Sequence, residues 1–149
     1  FITDGSNTGD PVALAGSFFR VKGTYKAWSY TGLPSGSIIL DEEVAANPSD
    51  YLFKFEVNSA SDYPFYDITS KTGGYLIKLN GGNYQWKYSL DENMNTFGEW
   101  YTVTLELENV ATAGLFSGKI ALTLAMQPNV EWNVDHSFAN IRIEKKIGQ

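Results

Sequence analysis

The sequence has no cysteine, and His136 is its only histidine among 149 residues. A disulfide framework, a thiolate nucleophile and a Cys-ligated zinc are therefore excluded. Metal ligation by several imidazoles fails on count alone. Basic residues are also scarce, with 11 Lys and Arg against 17 Asp and Glu and a net charge of −6. They are scattered, and Lys145-Lys146 is the only close cluster. A surface of this kind repels nucleic acid phosphates and anionic lipid headgroups, which normally require a basic patch. No apolar run approaches the roughly 18 residues a membrane span needs. No convincing amphipathic helix and no G-x-S-x-G elbow occurs either. His136, following Asp135 in a polar stretch, reads as a surface loop residue rather than a general base.

Carboxylate pairs for glycoside hydrolysis need no proximity in sequence, so spacing does not remove that class. The acids here nevertheless fall on solvent faces of strands or in polar loops, and Asp41-Glu42-Glu43 reads as a solvated turn. Calcium held by loop carboxylates is conceivable, but no EF-hand spacing is present. Nothing in the sequence demands an enzyme.

What the chain does contain is period-two alternation. Phe19 and Val21 alternate with Arg20 and Lys22 in a strand heading towards Trp28. Ser37-Ile38-Ile39-Leu40 forms a short apolar run. Tyr51, Phe53, Phe55 and Val57 define one apolar face, with Lys54 and Glu56 opposite. Further alternating runs cover Tyr101 to Leu107, Ile120 to Met126 and Ile141 to Ile143, and their parity turns Val103, Leu105, Leu122, Leu124, Ile141 and Ile143 inward with Phe53, Phe55 and Val57. Tyr75, Ile77 and Leu79 precede Asn80-Gly81-Gly82, a hairpin turn signal. About eight strands separated by Gly, Pro and Asn clusters predict an all-β fold, an antiparallel β-sandwich or jelly roll. Residues 41–50 have room for a helical turn limited by Pro48. With no repeat, linker or low-complexity tract, residues 1–149 read as a single domain able to bury roughly 70% of its unfolded surface. The chain starts at Phe1, which suggests a piece of a longer precursor.

The hairpin's second strand carries the strongest functional signal. Tyr84, Trp86 and Tyr88 fall on one face of it, against Asn83, Gln85 and Lys87 on the other. A flat aromatic surface with hydrogen-bonding edges suits the apolar face of a sugar ring. The competing reading is that this face is core. Two further tryptophans are candidates for ligand contact: Trp132, in a polar segment read as a loop, and Trp28, at the end of an early strand. Trp100 has the parity of Thr102 and Thr104 and reads as a structural cap over the sheet edge. Three long connections, Asn58 to Thr72, Ser89 to Glu99 and Gln127 to Ser137, have the length of functional loops.

Four stretches carry a family resemblance: Tyr51 to Asn58, Tyr84-Gln85-Trp86, Gly98 to Leu105, and Ala139-Asn140-Ile141-Arg142-Ile143. In this order and spacing, over residues 18–146, the chain resembles the C-terminal glycan-binding domains of Bacteroidetes surface glycan-binding lipoproteins, encoded in polysaccharide utilisation loci. The resemblance implies a non-catalytic, jelly-roll-like carbohydrate-binding domain in the C-terminal part of a longer surface lipoprotein. The lipid anchor would lie outside this chain, at the extracellular face of the outer membrane. It implies an aromatic platform that captures a neutral plant or microbial polysaccharide for an outer-membrane glycan importer and partner enzymes. Tyr84 and Trp86 match the family's aromatic strand, and Trp28 and Trp132 fall where related domains hold further aromatics. The chain departs from the pattern at Lys87-Tyr88, where a second Trp is common. It departs again at Ala139, where many relatives carry a calcium-binding Asp; its replacement argues against calcium there. No cofactor is implied. Xyloglucan, mixed-linkage β-glucan and mannan all suit such a platform. The alternatives are a jelly-roll glycoside hydrolase or lyase and a protein-binding adhesive sandwich.

Overall fold

The structure, a computed structural model, describes residues 2–3, 11, 16–27, 30–33, 38–61, 75–79, 82–84, 95–110, 119–120, 122–126 and 131–148. The alternating runs form antiparallel strands, and every described pairing is antiparallel. In chain order these are β1 (Ile2–Thr3), β2 (Phe18–Tyr25), β3 (Tyr30–Gly32), β4 (Ile38–Ile39), β5 (Tyr51–Ser59) and β6 (Tyr75–Leu79). There follow β7 (Gly82–Tyr84), β8 (Tyr101–Glu106), β9 (Lys119–Ile120), β10 (Leu122–Met126) and β11 (Trp132–Lys145). They make a five-stranded sheet in the order β1-β2-β11-β5-β8, a four-stranded sheet β3-β10-β6-β7, and the pair β4-β9. Helix is confined to short pieces among the described residues. These are α1 (Glu42–Ala46), the helical turn expected ahead of Pro48, a 3-10 turn at Pro48–Asp50, and α2 (Leu107–Val110). No described helix is long and apolar enough to cross a membrane.

The expected hairpin is present, with Ile77 opposite Tyr84 and Leu79 opposite Gly82. The run Ile120 to Met126 has two partners, Ile120 pairing with β4 and Leu122 to Met126 with β6. One expectation is corrected. Leu107, read as the end of a strand, instead begins α2 and is fully buried.

The core lies on one face of the five-stranded sheet. Phe53, Phe55 and Val57 are inaccessible, and Val21, Val103, Val134 and Phe138 pack with them. The Phe138 ring stacks on Phe19 and meets Phe55 edge-on, at centroid distances of 6.2 and 5.9 Å. Leu105, Ile141 and Ile143 pack against this cluster while partly exposed, as do Leu33 beside β3 and Ile38 of β4. The side chains of Leu122 and Leu124, also expected in the core, lie outside the described residues.

Strand β11 starts earlier than its sequence suggests. Trp132 to Phe138 pair with Tyr25 to Phe19, so Trp132 is a strand residue and not a loop residue. The same register corrects His136, which lies in the core beside Phe138 at a centroid distance of 4.6 Å. Val134, His136 and Phe138 share the core face because alternation runs unbroken from Trp132. Between Ala139 and Arg142 the register shifts, so that Asn140 and Ile141 together oppose Phe55. Asn140 takes up the bulge with φ 50°, a left-handed conformation that Asn tolerates better than most residues. The extra residue moves the apolar phase from even to odd numbers and returns Ile143 to the core side.

The opposite face is polar but not freely solvated. Arg20 forks onto Asp135 through Nε and Nη2 at 2.8 and 2.9 Å. Arg142 Nη1 reaches Glu56 at 2.9 Å, its Nε reaches Glu144 at 2.9 Å, and Lys54 reaches Glu144 at 2.7 Å. Lys54 first and Arg142 second hold the Glu144 carboxyl below the usual carboxylate range. Trp100 is half-buried here and meets Phe18 edge-on at 5.6 Å.

Truncating Phe55 to Ala should cost about 3 to 5 kcal/mol in chemical denaturation, since the ring is wholly enclosed. A change below about 1 kcal/mol would contradict this packing. Burial pushes the His136 imidazole from 6.5 down to about 3. Between those values the unfolded chain takes up a proton that the folded chain refuses. Stability is therefore full above pH 6.5 and falls below it by roughly 1.4 kcal/mol per pH unit. Urea unfolding between pH 6.5 and about 5 should show this slope in the parent and a flatter one in His136→Gln.

Candidate functional site

One end of the five-stranded sheet gathers segments that are far apart in sequence. Strands β2 and β5 finish there, while β8 and β11 begin there. Antiparallel pairing makes this unavoidable, because the exit of one strand lies beside the entry of its neighbour. Three of the long connections identified in the sequence join the sheet at this end, through Ala60, Asn95 and Glu131.

A cleft of about 410 Å³ opens there, lined by Thr24, Ala60, Ser61, Glu131, Trp132 and Asn133. A second hollow of about 310 Å³ shares Thr24, Ala60 and Asn133 with it and extends to Lys22 and Asp135. Both volumes fall in the range of small-ligand sites. Trp132 pairs across from Tyr25 and packs partly against the core while contributing to the cleft wall.

The other walls are hydroxyls and an amide. Thr24 lies opposite Asn133 in register, and its hydroxyl donates to the Asn133 side-chain oxygen. Ser61 is fixed by the Asp135 backbone N–H, which donates to its Oγ at 2.9 Å. Ala60 N–H donates to the Asp135 carbonyl at 2.9 Å, extending the β5–β11 ladder into the cleft floor. Charge is balanced locally, since Asp135 is engaged by Arg20, and exposed Lys22 and Glu131 carry opposite signs. Such walls can donate and accept hydrogen bonds to hydroxyls without imposing a net field. They offer no activated nucleophile, and His136 beneath them is neutral and enclosed. Among the described residues no group of three or more His, Cys, Asp or Glu side chains is placed to hold a metal ion.

Of the five site residues expected from sequence, Trp132 lies in the cleft wall. Tyr84 closes β7, with its side chain outside what the structure describes. Trp28, Trp86 and Tyr88 lie outside the described residues. Thr24, Ser61 and Asn133 were missed. Only the β2–β11 register brings Thr24 to Asn133, although Asn133 sits in one of the long polar segments already singled out.

Three solved structures share this fold. A protein crystallised with a xylogluco-oligosaccharide aligns at TM-score 0.58 and 18% identity, covering 98% of this chain and 34% of its own. A structure of domains CD of a larger protein aligns at TM-score 0.55 and 17% identity, covering 98% of this chain and 59% of its own. SGBP-B from a complex xyloglucan utilization locus in Bacteroides uniformis aligns at TM-score 0.54 and 19% identity, covering 97% and 44%. The chain thus spans between about a third and three-fifths of these relatives' lengths. No curated protein gives a significant match. The model of the family described as surface glycan-binding protein B xyloglucan binding domain matches residues 1–145, nearly the whole chain. The chain belongs to this family of glycan-binding domains.

Proposed function

We propose that this chain is a non-catalytic module that binds xyloglucan, a neutral plant polysaccharide, by stacking sugar rings on aromatic side chains at the open end of its five-stranded sheet. The observation that carries this reading is the partly anchored Trp132 indole in a cleft whose walls also include Thr24, Ser61, Glu131 and Asn133. The apolar ring supplies a surface for C–H groups, and the hydroxyl and amide partners suit the sugar's rim. Trp86, with Tyr84 and Tyr88 flanking it, and Trp28 complete the candidate platform on sequence grounds. Membership of the xyloglucan-binding family favours xyloglucan among the sugars that suit an aromatic platform.

Residues 1–149 act as one β-sandwich domain in this reading, with the second sheet laid over the apolar face of the first. The domain forms the C-terminal part of a longer surface lipoprotein. That protein would hold xyloglucan at the extracellular face of the outer membrane, through a lipid anchor outside this chain, and deliver it to a glycan importer of the same locus. Catalysis is not part of the role in this reading, in keeping with a family described by its glycan binding.

Calorimetric titration with xyloglucan tests this directly. Trp132→Ala should lose about 1.5 to 3 kcal/mol of binding, the contribution of burying one large apolar surface, and Trp86→Ala a similar amount. Affinity should be normalised to the folded fraction, because Trp132 also packs on the core. Full affinity in both variants would place the platform elsewhere, and shortening of the polymer during titration would reveal an enzyme. Binding should also change little between low and moderate salt, since a neutral ligand releases few counterions. A steep salt dependence would instead indicate a charged ligand.

A further inference from the structure

Phe97 is a large aromatic side chain that is 75% exposed and sits at φ 53°, in the left-handed region. Either feature alone is uncommon for phenylalanine, and the fold gains no core packing from the ring to offset them. The conformation is nonetheless firmly held. Phe97 and Gly98 (φ 84°) form the two central positions of a tight turn closed by Glu99 N–H donating to the Thr96 carbonyl at 3.1 Å. The Phe97 N–H donates to Asn95 Oδ1 at 2.8 Å. Thr96, 3% exposed, ties the turn to the sheet: its N–H donates to the Ser59 carbonyl at 2.8 Å, and its Oγ1 accepts from Ser59 N–H at 2.9 Å. Asn58 Nδ2 adds a bond to the Gly98 carbonyl at 3.2 Å.

Ser59 leads directly into Ala60 and Ser61, which line the Trp132 cleft. The turn is therefore bolted to the segment that forms one wall of the site. The sheet order β11-β5-β8 puts two strand spacings, about 10 Å, between the Trp132 strand and the Phe97 turn. Trp132 lies a further four residues, about 13 Å, along β11 from His136, the residue opposite Ser59. A backbone that pays strain to display an unpacked aromatic ring from a rigid mount beside a binding cleft is built for contact with something outside the chain.

We propose that Phe97 is a further glycan-contacting residue, stacking on a sugar ring beyond those held at the Trp132 cleft, so that oligosaccharides long enough to reach it gain affinity. This rests on the glycan-binding reading above and adds to it a contact outside the aromatics already named and a ligand length at which that contact is made. Asn and Gly both suit the left-handed conformation better than Phe, so Phe97→Asn removes the ring while relieving the backbone. A merely structural ring would make this variant less stable. The proposal expects a melting temperature equal to or above the parent's.

The test is titration of parent, Phe97→Asn, Phe97→Tyr and Trp132→Ala with xylogluco-oligosaccharides of increasing length. Phe97→Asn should weaken binding of the longer oligosaccharides roughly tenfold, a loss in the range of one aromatic contact, and leave the shortest binder unchanged. Phe97→Tyr should retain parental affinity at every length. Parental affinity of Phe97→Asn at all lengths, in a protein that binds xyloglucan and is weakened by Trp132→Ala, overturns the role of Phe97 and leaves the glycan-binding reading intact. Failure of the parent to bind any oligosaccharide overturns both. Lowered stability of Phe97→Asn with unchanged affinity per folded molecule makes Phe97 structural and overturns the proposal as well.

Discussion

Strand β11 is hydrogen-bonded to β2 from Trp132 to Phe138 and to β5 from His136 onward. Backbone groups buried on both sides of a strand have no water to fall back on, so their partners are obligatory. This two-sided pairing fixes the register of the whole five-stranded sheet. It carries Val134, His136 and Phe138 into the core and holds Trp132 at the strand's first position. Because β5 and β2 both run against it, their exits lie beside the entry of β11, and the cleft exists at that end for this reason. Shifting β11 by one residue would put Asp135 and Ser137 into the apolar core and expose Phe138.

The polar face adds a second level of specification. Glu56 is 8% exposed and engages both Arg142 and Thr102, while Arg20 is 6% exposed and forks onto Asp135. Ion pairs at this depth contribute little net stability, because desolvation offsets much of their attraction. Their effect is on alternatives: each pair joins two different strands, and a slipped register would leave a buried charge without its partner. The polar face thus penalises the same errors that the apolar face does, by a different mechanism. Near the site the Arg20–Asp135 fork has a further effect, since it keeps a carboxylate beside the cleft neutralised.

Much of this was legible in the sequence where alternation was regular and the residues were conventional. Phe53, Phe55, Val57 and Val103 were assigned to the core by parity and are there. The Asn80-Gly81-Gly82 signal marked the β6–β7 hairpin, and Pro48 marked the limit of a short helix. His136 was misread because an imidazole among Asn, Asp and Ser looks solvated. Yet Trp132, Val134, His136 and Phe138 already formed a period-two series, and the polar residues between them belonged to the other face. The site was less legible than the fold. Trp132 stood out as a large ring in a polar setting, whereas Thr24 and Ser61 are ordinary residues that acquire meaning only from the strand order.

The bulge at Asn140 divides β11 into two stretches with opposite numerical parity. The N-terminal stretch serves the cleft, and the C-terminal stretch anchors the polar network through Arg142 and Glu144. Chain length and residue identity are thereby separated as sources of vulnerability. At position 140, a change of side chain costs no more than the strain of a left-handed residue at an exposed kink, but the loss of one residue would invert every side chain on one side of it. A chain built this way can diversify widely by substitution while tolerating almost no insertion or deletion along its central strand.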